Sequence, residues 1–300
     1  MTRRMFTDTF LAATLLAGAA CAQTPADHAT EIEQWRTQRL ERLQAPLGWL
    51  SLVGLHWVEP GTHRVGKADD NDIVLATGPA QLGTLMLAEG KLQFTAAPES
   101  GVNVDGVAPS GTIELVPDSG EKPTVLTFDA GQATLQAIER VGRIGLRVRD
   151  ARAKTRSGFV GIEQFPIDAG WRVEARFEPH PAGKTIPIAN VVGQLEPMAN
   201  PGAVVFEHDG RTHRLEAVDE GDGQLFLIFA DRTSGKETYG AGRFLYAAAA
   251  VDGKTVLDFN KAYNPPCAFN AYSTCPLPPP ENRLDLAVTA GEKKYAGATH

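Results

Sequence analysis

The sequence predicts a mostly β fold: one N-terminal helix, then a β-sandwich packed against a second β unit for which a barrel is one option. Three observations carry this. The 300 residues include 30 Gly and 20 Pro, above the ~12% that the two make together in an average chain, and such punctuation suits short strands joined by tight turns. Content that is 43% hydrophobic and 22% charged is that of a folded chain rich enough in core-formers to bury a sizeable interior. Short apolar or alternating runs recur along residues 60–150 and again from 159 onward, at the spacing of sandwich strands.

Residues 1–22 stand apart from the fold. A start of Met-Thr-Arg-Arg, an apolar stretch over Phe10–Ala20 and small residues before the polar Gln23 read as an export signal. Ala20-Cys21-Ala22 has the form cut by the general signal peptidase, while Gly18-Ala19-Ala20-Cys21 approximates a lipoprotein box, so lipidation at Cys21 competes with simple cleavage. Both place the protein outside the cytoplasm, in the periplasm or on the outer membrane. No other window is apolar enough to span a bilayer.

From there the elements follow in order. Over residues 23–47, Asp27 can cap a helix with Ile32, Trp35, Leu40 and Leu43 on one face and Glu31, Glu33, Arg36, Arg39 and Arg42 towards water. Gly48–Trp57 is apolar on both faces and so belongs in the interior. Nine further strands are expected in a sandwich over 48–155, between His63 and Arg149. The last, Arg143-Ile-Gly-Leu-Arg147-Val-Arg149, sets its arginines on one face; with Arg140, Arg152, Lys154 and Arg156 they form the one basic cluster, suited to an anionic ligand or to acids from the other half. The second unit, over 156–300, offers strands at Trp171–Phe177, Thr185–Val192, Ala203–Glu207, Thr212–Glu216, Leu225–Ala230, Gly242–Ala247, Thr255–Phe259 and Asp285–Ala290.

A net charge of −7 and the lack of a long basic stretch set nucleic-acid binding aside. The stretch from Ala230 to Leu284 is the richest in chemistry. Glu237 and Asp258 flank Arg243 among apolar strands, where a carboxylate with a raised pKa can act as acid or base, which makes an acid–base hydrolase one alternative and a buried structural ion pair the other. Asp231, Ser234, Tyr239, Asn260, Tyr263, Asn264 and Asn282 are the candidate ligand-binding groups around them. Six prolines between Asn264 and Pro280 stiffen a polar loop into a suitable pocket wall. Within it Cys267 and Cys275, in an exported chain, most simply form a disulfide. Metal ligation there is a minor alternative, since C-x7-C is no standard zinc spacing. No metal site and no cofactor is expected otherwise: there is no Walker A loop, no His-Glu-x-x-His and no complete Gly-x-Gly-x-x-Gly. His208 and His213 flank a hairpin turn at Asp209-Gly210, and two such side chains make no metal site alone. His56, within Gly48–Trp57, reads as a hydrogen-bonded core histidine.

Gly66–Leu75, Gly90-Lys91-Leu92 and Ser100–Gly106 together resemble the forkhead-associated pattern over about residues 59–150. The resemblance implies a sandwich. It departs from that family's phosphothreonine-reading loops at Lys67, at Pro79-Ala80-Gln81-Leu82 and at Asp105. The chain as a whole, through Gly48–Trp57, Phe229–Tyr239 and Asp258–Phe269, resembles domain-of-unknown-function family 1684 over roughly residues 35–295. That resemblance implies that the Asp231–Arg283 block matters and supplies no reaction; relatives that look cytosolic carry the same cysteine loop, which keeps metal at Cys267 and Cys275 open. The function expected is therefore binding of a small or peptide-like ligand in a polar pocket of the C-terminal half. Acid–base hydrolysis and an envelope structural or interaction role are the alternatives, and the oligomeric state is not legible.

Overall fold

A computed structural model describes residues 25–297; the residues read above as an export signal, Cys21 among them, lie outside these. The chain is mostly β. Helix α1 (Pro25–Gln44) leads through a 3₁₀ turn into β1 (Leu52–Trp57). Gly48 sits at that corner because a Cβ there would lie 2.6 Å from the Arg42 carbonyl oxygen and 2.9 Å from that of Leu43, closer than any side chain permits.

Nine strands follow in the first unit: β2 (Gly61–Gly66), β3 (Ile73–Val74), β4 (Gly83–Ala88), β5 (Lys91–Ala96), β6 (Asn103–Val104), β7 (Thr112–Glu114), β8 (Val125–Phe128), β9 (Ala133–Arg140) and β10 (Arg143–Asp150). They form two five-stranded sheets, ordered β1-β10-β9-β8-β6 and β3-β2-β4-β5-β7. Leu85, Phe94, Leu126, Phe128, Leu135, Leu146 and Val148 fill the space between them. Each such side chain contributes ~1.5–3 kcal/mol when fully buried. This is the expected sandwich, with every expected strand between His63 and Arg149 present.

The second unit holds β11 (Arg172–Pro179), β12 (Thr185–Ala189), β13 (Leu195–Ala199), β14 (Gly202–His208), β15 (Arg211–Ala217), β16 (Gln224–Phe229), β17 (Arg243–Ala248) and β18 (Lys254–Asp258). A four-stranded sheet, β15-β14-β11-β18, is accompanied by the ribbons β12-β13 and β16-β17. The β16-β17 ribbon approaches β15 with one edge and β18 with the other around a core of Val204, Phe206, Leu215, Leu227, Phe229, Leu245 and Leu257. No ladder joins it to those neighbours, so the unit is not a closed barrel. The β14–β15 turn is the expected hairpin, with Asp209 and Gly210 both at positive φ.

Three expectations are corrected. Asp285–Ala290 is not a strand; it runs irregularly because its carbonyls are taken by the Arg243 guanidinium, Val288 O at 2.9 Å and Ala290 O at 2.5 Å. Leu195–Ala199 is a strand, masked in the sequence by Pro197, which lies opposite Pro187 in the β12–β13 ribbon. Arg39 does not face water: it is buried, with Nε donating to Glu292 Oε1 at 3.1 Å and Nη2 to the Asn264 carbonyl at 2.8 Å. Among the described residues no helix is long and apolar enough to cross a membrane.

Candidate functional site

The groups singled out for catalysis do not meet. Arg243 is fully buried at the start of β17, where Nη2 donates to Asp231 Oδ2 and to the Val288 carbonyl, both at 2.9 Å, and Nη1 to the Ala290 carbonyl at 2.5 Å, while Nε has no hydrogen-bond partner. Burial lowers its pKa, and the Asp231 charge opposes that. Its acidic partner is thus Asp231, and neither Glu237 nor Asp258. Glu237 is exposed on the 231–239 turn. Asp258, at the end of β18, receives His28 Nε2 at 2.7 Å and the Asn260 side chain at 2.9 Å. With Arg243 sealed in the core, the three share no cavity, and the structural reading of this ion pair is the one its geometry fits.

The candidate ligand groups divide likewise. Asp231 Oδ1 accepts from the Thr233 N–H at 2.8 Å and its hydroxyl at 2.6 Å, and the Ser234 hydroxyl accepts the Asp231 N–H at 3.1 Å, so this block is a self-tied turn. Asn260 bridges Asp258 to Asp168, Asn264 donates its backbone N–H to Glu292 Oε2 and its side-chain amide to the Lys293 carbonyl, both at 2.7 Å, and Asn282 ties Glu216 to Ile228. The Tyr239 hydroxyl donates to the Cys267 carbonyl at 3.1 Å. Of this set, Tyr263 lines the cavity described below.

The bridge expected between Cys267 and Cys275 is not formed here: both are free, buried thiols, with the Cys267 N–H donating to Cys275 Sγ at 3.2 Å. Contact with the Cys275 sulfur and burial push the Cys267 thiol up; the same contact, with Arg147 nearby, draws the Cys275 thiol down. If one of the pair ionises, it is Cys275. Among the described residues no three His, Cys, Asp or Glu side chains gather to hold a metal. His208 stacks on Trp171 at 4.0 Å and His213 tilts against Phe206, both as packing groups. His56 is half-buried on β1 with no hydrogen-bond partner at Nε2, and burial lowers its pKa.

A cavity with a volume of about 670 Å³ lies where α1, the sandwich and the second unit meet. Its aromatic wall is continuous. Trp35 packs on Tyr263 with centroids 6.3 Å apart, Tyr263 stacks on Tyr246 at 6.4 Å, and Tyr246 on Phe226 at 4.7 Å. Burial raises the Tyr246 phenol and takes that of Tyr263 to about 12, so both stay protonated donors. Around them, β9 and β10 contribute Arg140 and Arg147, the proline loop contributes Thr274 and Cys275, and α1 contributes Arg42 and Arg39, whose Cζ lies 4.6 Å from the centre of the Tyr263 ring. The strand pair β16-β17 positions the wall because it is buried on both faces: Leu225, Leu227 and Phe229 turn to one core and Phe226 and Ile228 to the other.

Residue-type reasoning missed Trp35, Phe226, Phe244 and Tyr246 as cavity groups. The available signal was the unbroken apolar run Leu225–Phe229, which demands cover on two faces, and the alternating arginines of β10, which demand something to face.

Fold and cavity define a class: a two-unit, mostly β protein with an aromatic, arginine-bearing cavity at the junction. Residues 157–293 match the model of the family described as "Protein of unknown function (DUF1684)"; Gly48–Trp57 lies outside that match. The chain is similar to an uncharacterized protein from gene locus rrnAC0354 of Haloarcula marismortui, solved in solution, at 31% identity over 48% of this chain and 81% of that one, with a TM-score of 0.40. It also has a likeness, at 16% identity and a TM-score of 0.26, to the N-terminal FHA domain from EssC, a component of the bacterial Type VII secretion apparatus, covering 33% of this chain and 46% of that one. No curated protein matches.

Proposed function

We propose that this is an exported protein that binds a small ligand in the cavity between α1, the sandwich and the second unit. One observation carries the reading: a cavity of about 670 Å³ in which aromatic rings and arginines from three separate parts of the chain converge. That is the size and the lining of small-molecule sites, apolar walls with a few placed polar groups. The ligand site is thus centred at the junction of the units, with the proline loop as one wall. In an oxidising compartment the neighbouring thiols of Cys267 and Cys275 close into a disulfide that fixes that wall.

Native mass spectrometry on protein purified from its own envelope tests this. A retained species, released on denaturation and lost when Met198→Trp fills the cavity, is the expected result. A bare chain that no small organic compound stabilises against heat sinks the reading. The same spectra, by the mass of the N-terminus, tell a cleaved form from one acylated at Cys21.

A further inference from the structure

One charge on the cavity wall has no close partner. The Arg147 side chain is 6% exposed, and its Nε has no hydrogen-bond partner. The carboxylate within ion-pair reach, Asp118, lies 3.8 Å from Nη1, and Arg140 already grips that carboxylate through both Nη atoms, at 2.8 and 2.7 Å. The other cations of the wall are differently placed. Arg39 serves Glu292 and the Asn264 carbonyl, Lys261 is bonded to Glu31, and Arg42 is exposed.

A buried guanidinium in this position is costly unless an anion answers it. Burial, with Arg149 and Arg140 close by, draws the Arg147 pKa down to about 10, which still leaves it charged near neutral pH. Trp49 lies within 5.3 Å of its Cζ and within 5.9 Å of that of Arg149. An indole ring meets part of the charge, yet it offers no lone pair to the N–H groups. Tyr246, Tyr263, Phe226, Phe244, Ile188 and Met198 supply the apolar part of the wall, and Asn190, Ser273 and Thr274 add neutral polar groups. The acids present are engaged or at the rim: Glu139 accepts the Ser119 hydroxyl, Glu220 the Tyr246 hydroxyl, and Glu196 is exposed on β13. They disfavour a second negative charge.

Resting on the ligand-cavity reading, we propose that the ligand is a small amphiphilic oxyanion, a carboxylate or phosphate at one end of an apolar body, whose oxygens take the N–H groups of Arg147 while the body lies along the Trp35–Tyr263–Tyr246–Phe226 wall. A guanidinium fork fits either head group.

The test uses calorimetry and thermal denaturation with four probes: 4-phenylbutanoate, 2-phenylethyl phosphate, the uncharged 4-phenylbutanamide and inorganic phosphate. At least one charged aryl probe should bind the wild-type protein ~10-fold or more tightly than the amide, the size of a charge-assisted hydrogen bond, and inorganic phosphate should bind far more weakly. Which of the two charged probes wins assigns the head group. Arg147→Met should bring the charged probes to the level of the amide without lowering the melting temperature, since it removes an unanswered buried charge; Arg147→Lys, which keeps the charge without the fork, should fall between and serves if the Met variant fails to fold. Amide binding equal to that of the acids, or charged-probe affinity unchanged in both variants, overturns the oxyanion assignment and leaves the ligand cavity standing. Failure of all four probes alike counts against the cavity reading and takes this inference with it.

Discussion

At the scale of single residues, Asp231, Arg243 and Glu237 show how the same carboxylate and guanidinium chemistry takes opposite roles by placement. Arg243 and Asp231 are sealed together in the core. Asp231→Asn leaves a fully buried guanidinium without its counter-charge, and urea denaturation should record a loss of ~3–5 kcal/mol. Arg243→Met should be hardly milder, because the carbonyls of Val288 and Ala290 lose their donor as well. Glu237→Ala, on an exposed turn, should change stability by no more than ~0.5 kcal/mol. A small effect at Asp231 would mean that water reaches this pair. The cysteines differ from each other in the same way. Cys275 lies on the cavity wall and is the more readily ionised of the two, and the thiolate is the reactive form. Brief treatment of the reduced protein with iodoacetamide, followed by peptide mapping, should therefore find Cys275 alkylated well before Cys267; equal labelling would show that the pair opens as a unit.

At the scale of elements, α1 is held by side chains that its amphipathic pattern does not announce. His28 reaches Asp258, Arg39 reaches Glu292, and Arg36 Nη2 donates to the Phe165 carbonyl at 2.9 Å. The helical period in the sequence gave the helix and its apolar face; it could not give Arg39, because a guanidinium is buried only where distant acceptors wait for it, and those lie over 200 residues away. His28→Ala should loosen the first turns of α1. Amide exchange over residues 26–35 should quicken and Trp35 emission should shift to the red, with the sandwich unaffected; unchanged exchange would show that apolar packing alone docks the helix. At the end of β10, Asp150 receives the Arg152 guanidinium and the Thr77 hydroxyl, and these bonds hold its pKa at about 2. A carboxyl depressed on folding stabilises the native state above its unfolded value of ~3.9 and loses that contribution as pH falls towards its folded one. The wild-type protein should thus lose stability more steeply than Asp150→Asn between about pH 4 and pH 2, as acid titration of the denaturation midpoint will read; parallel curves would show the bond to be absent in solution.

At the scale of the whole molecule, the strands were legible and the cavity was not. Alternation and turn residues act over a few positions, so β2 to β10 and the β14–β15 hairpin could be read from neighbours along the chain. The cavity depends on Trp35, Arg147, Tyr246 and Cys275 being brought together from four distant stretches, a fact of tertiary packing that no local pattern encodes; only Tyr263 among the groups named for binding proves to line it. Sequence reasoning favoured the Asp231–Arg283 block because it is dense in polar groups, and those groups are dense because turns and irregular segments need them to satisfy backbone N–H and C=O. A cavity walled by both units has a consequence for the molecule as a whole. A ligand that touches β10 and the proline loop at once binds only when both are in place, so it stabilises each by the same amount, about 2.7 kcal/mol at a hundredfold excess over Kd. Amide exchange with and without a bound ligand should therefore show protection rising together in 143–150 and 263–280, the two stretches that bring Arg147 and Cys275 to the cavity. Protection confined to one of these stretches would place the ligand on a single unit and make the junction a matter of packing alone.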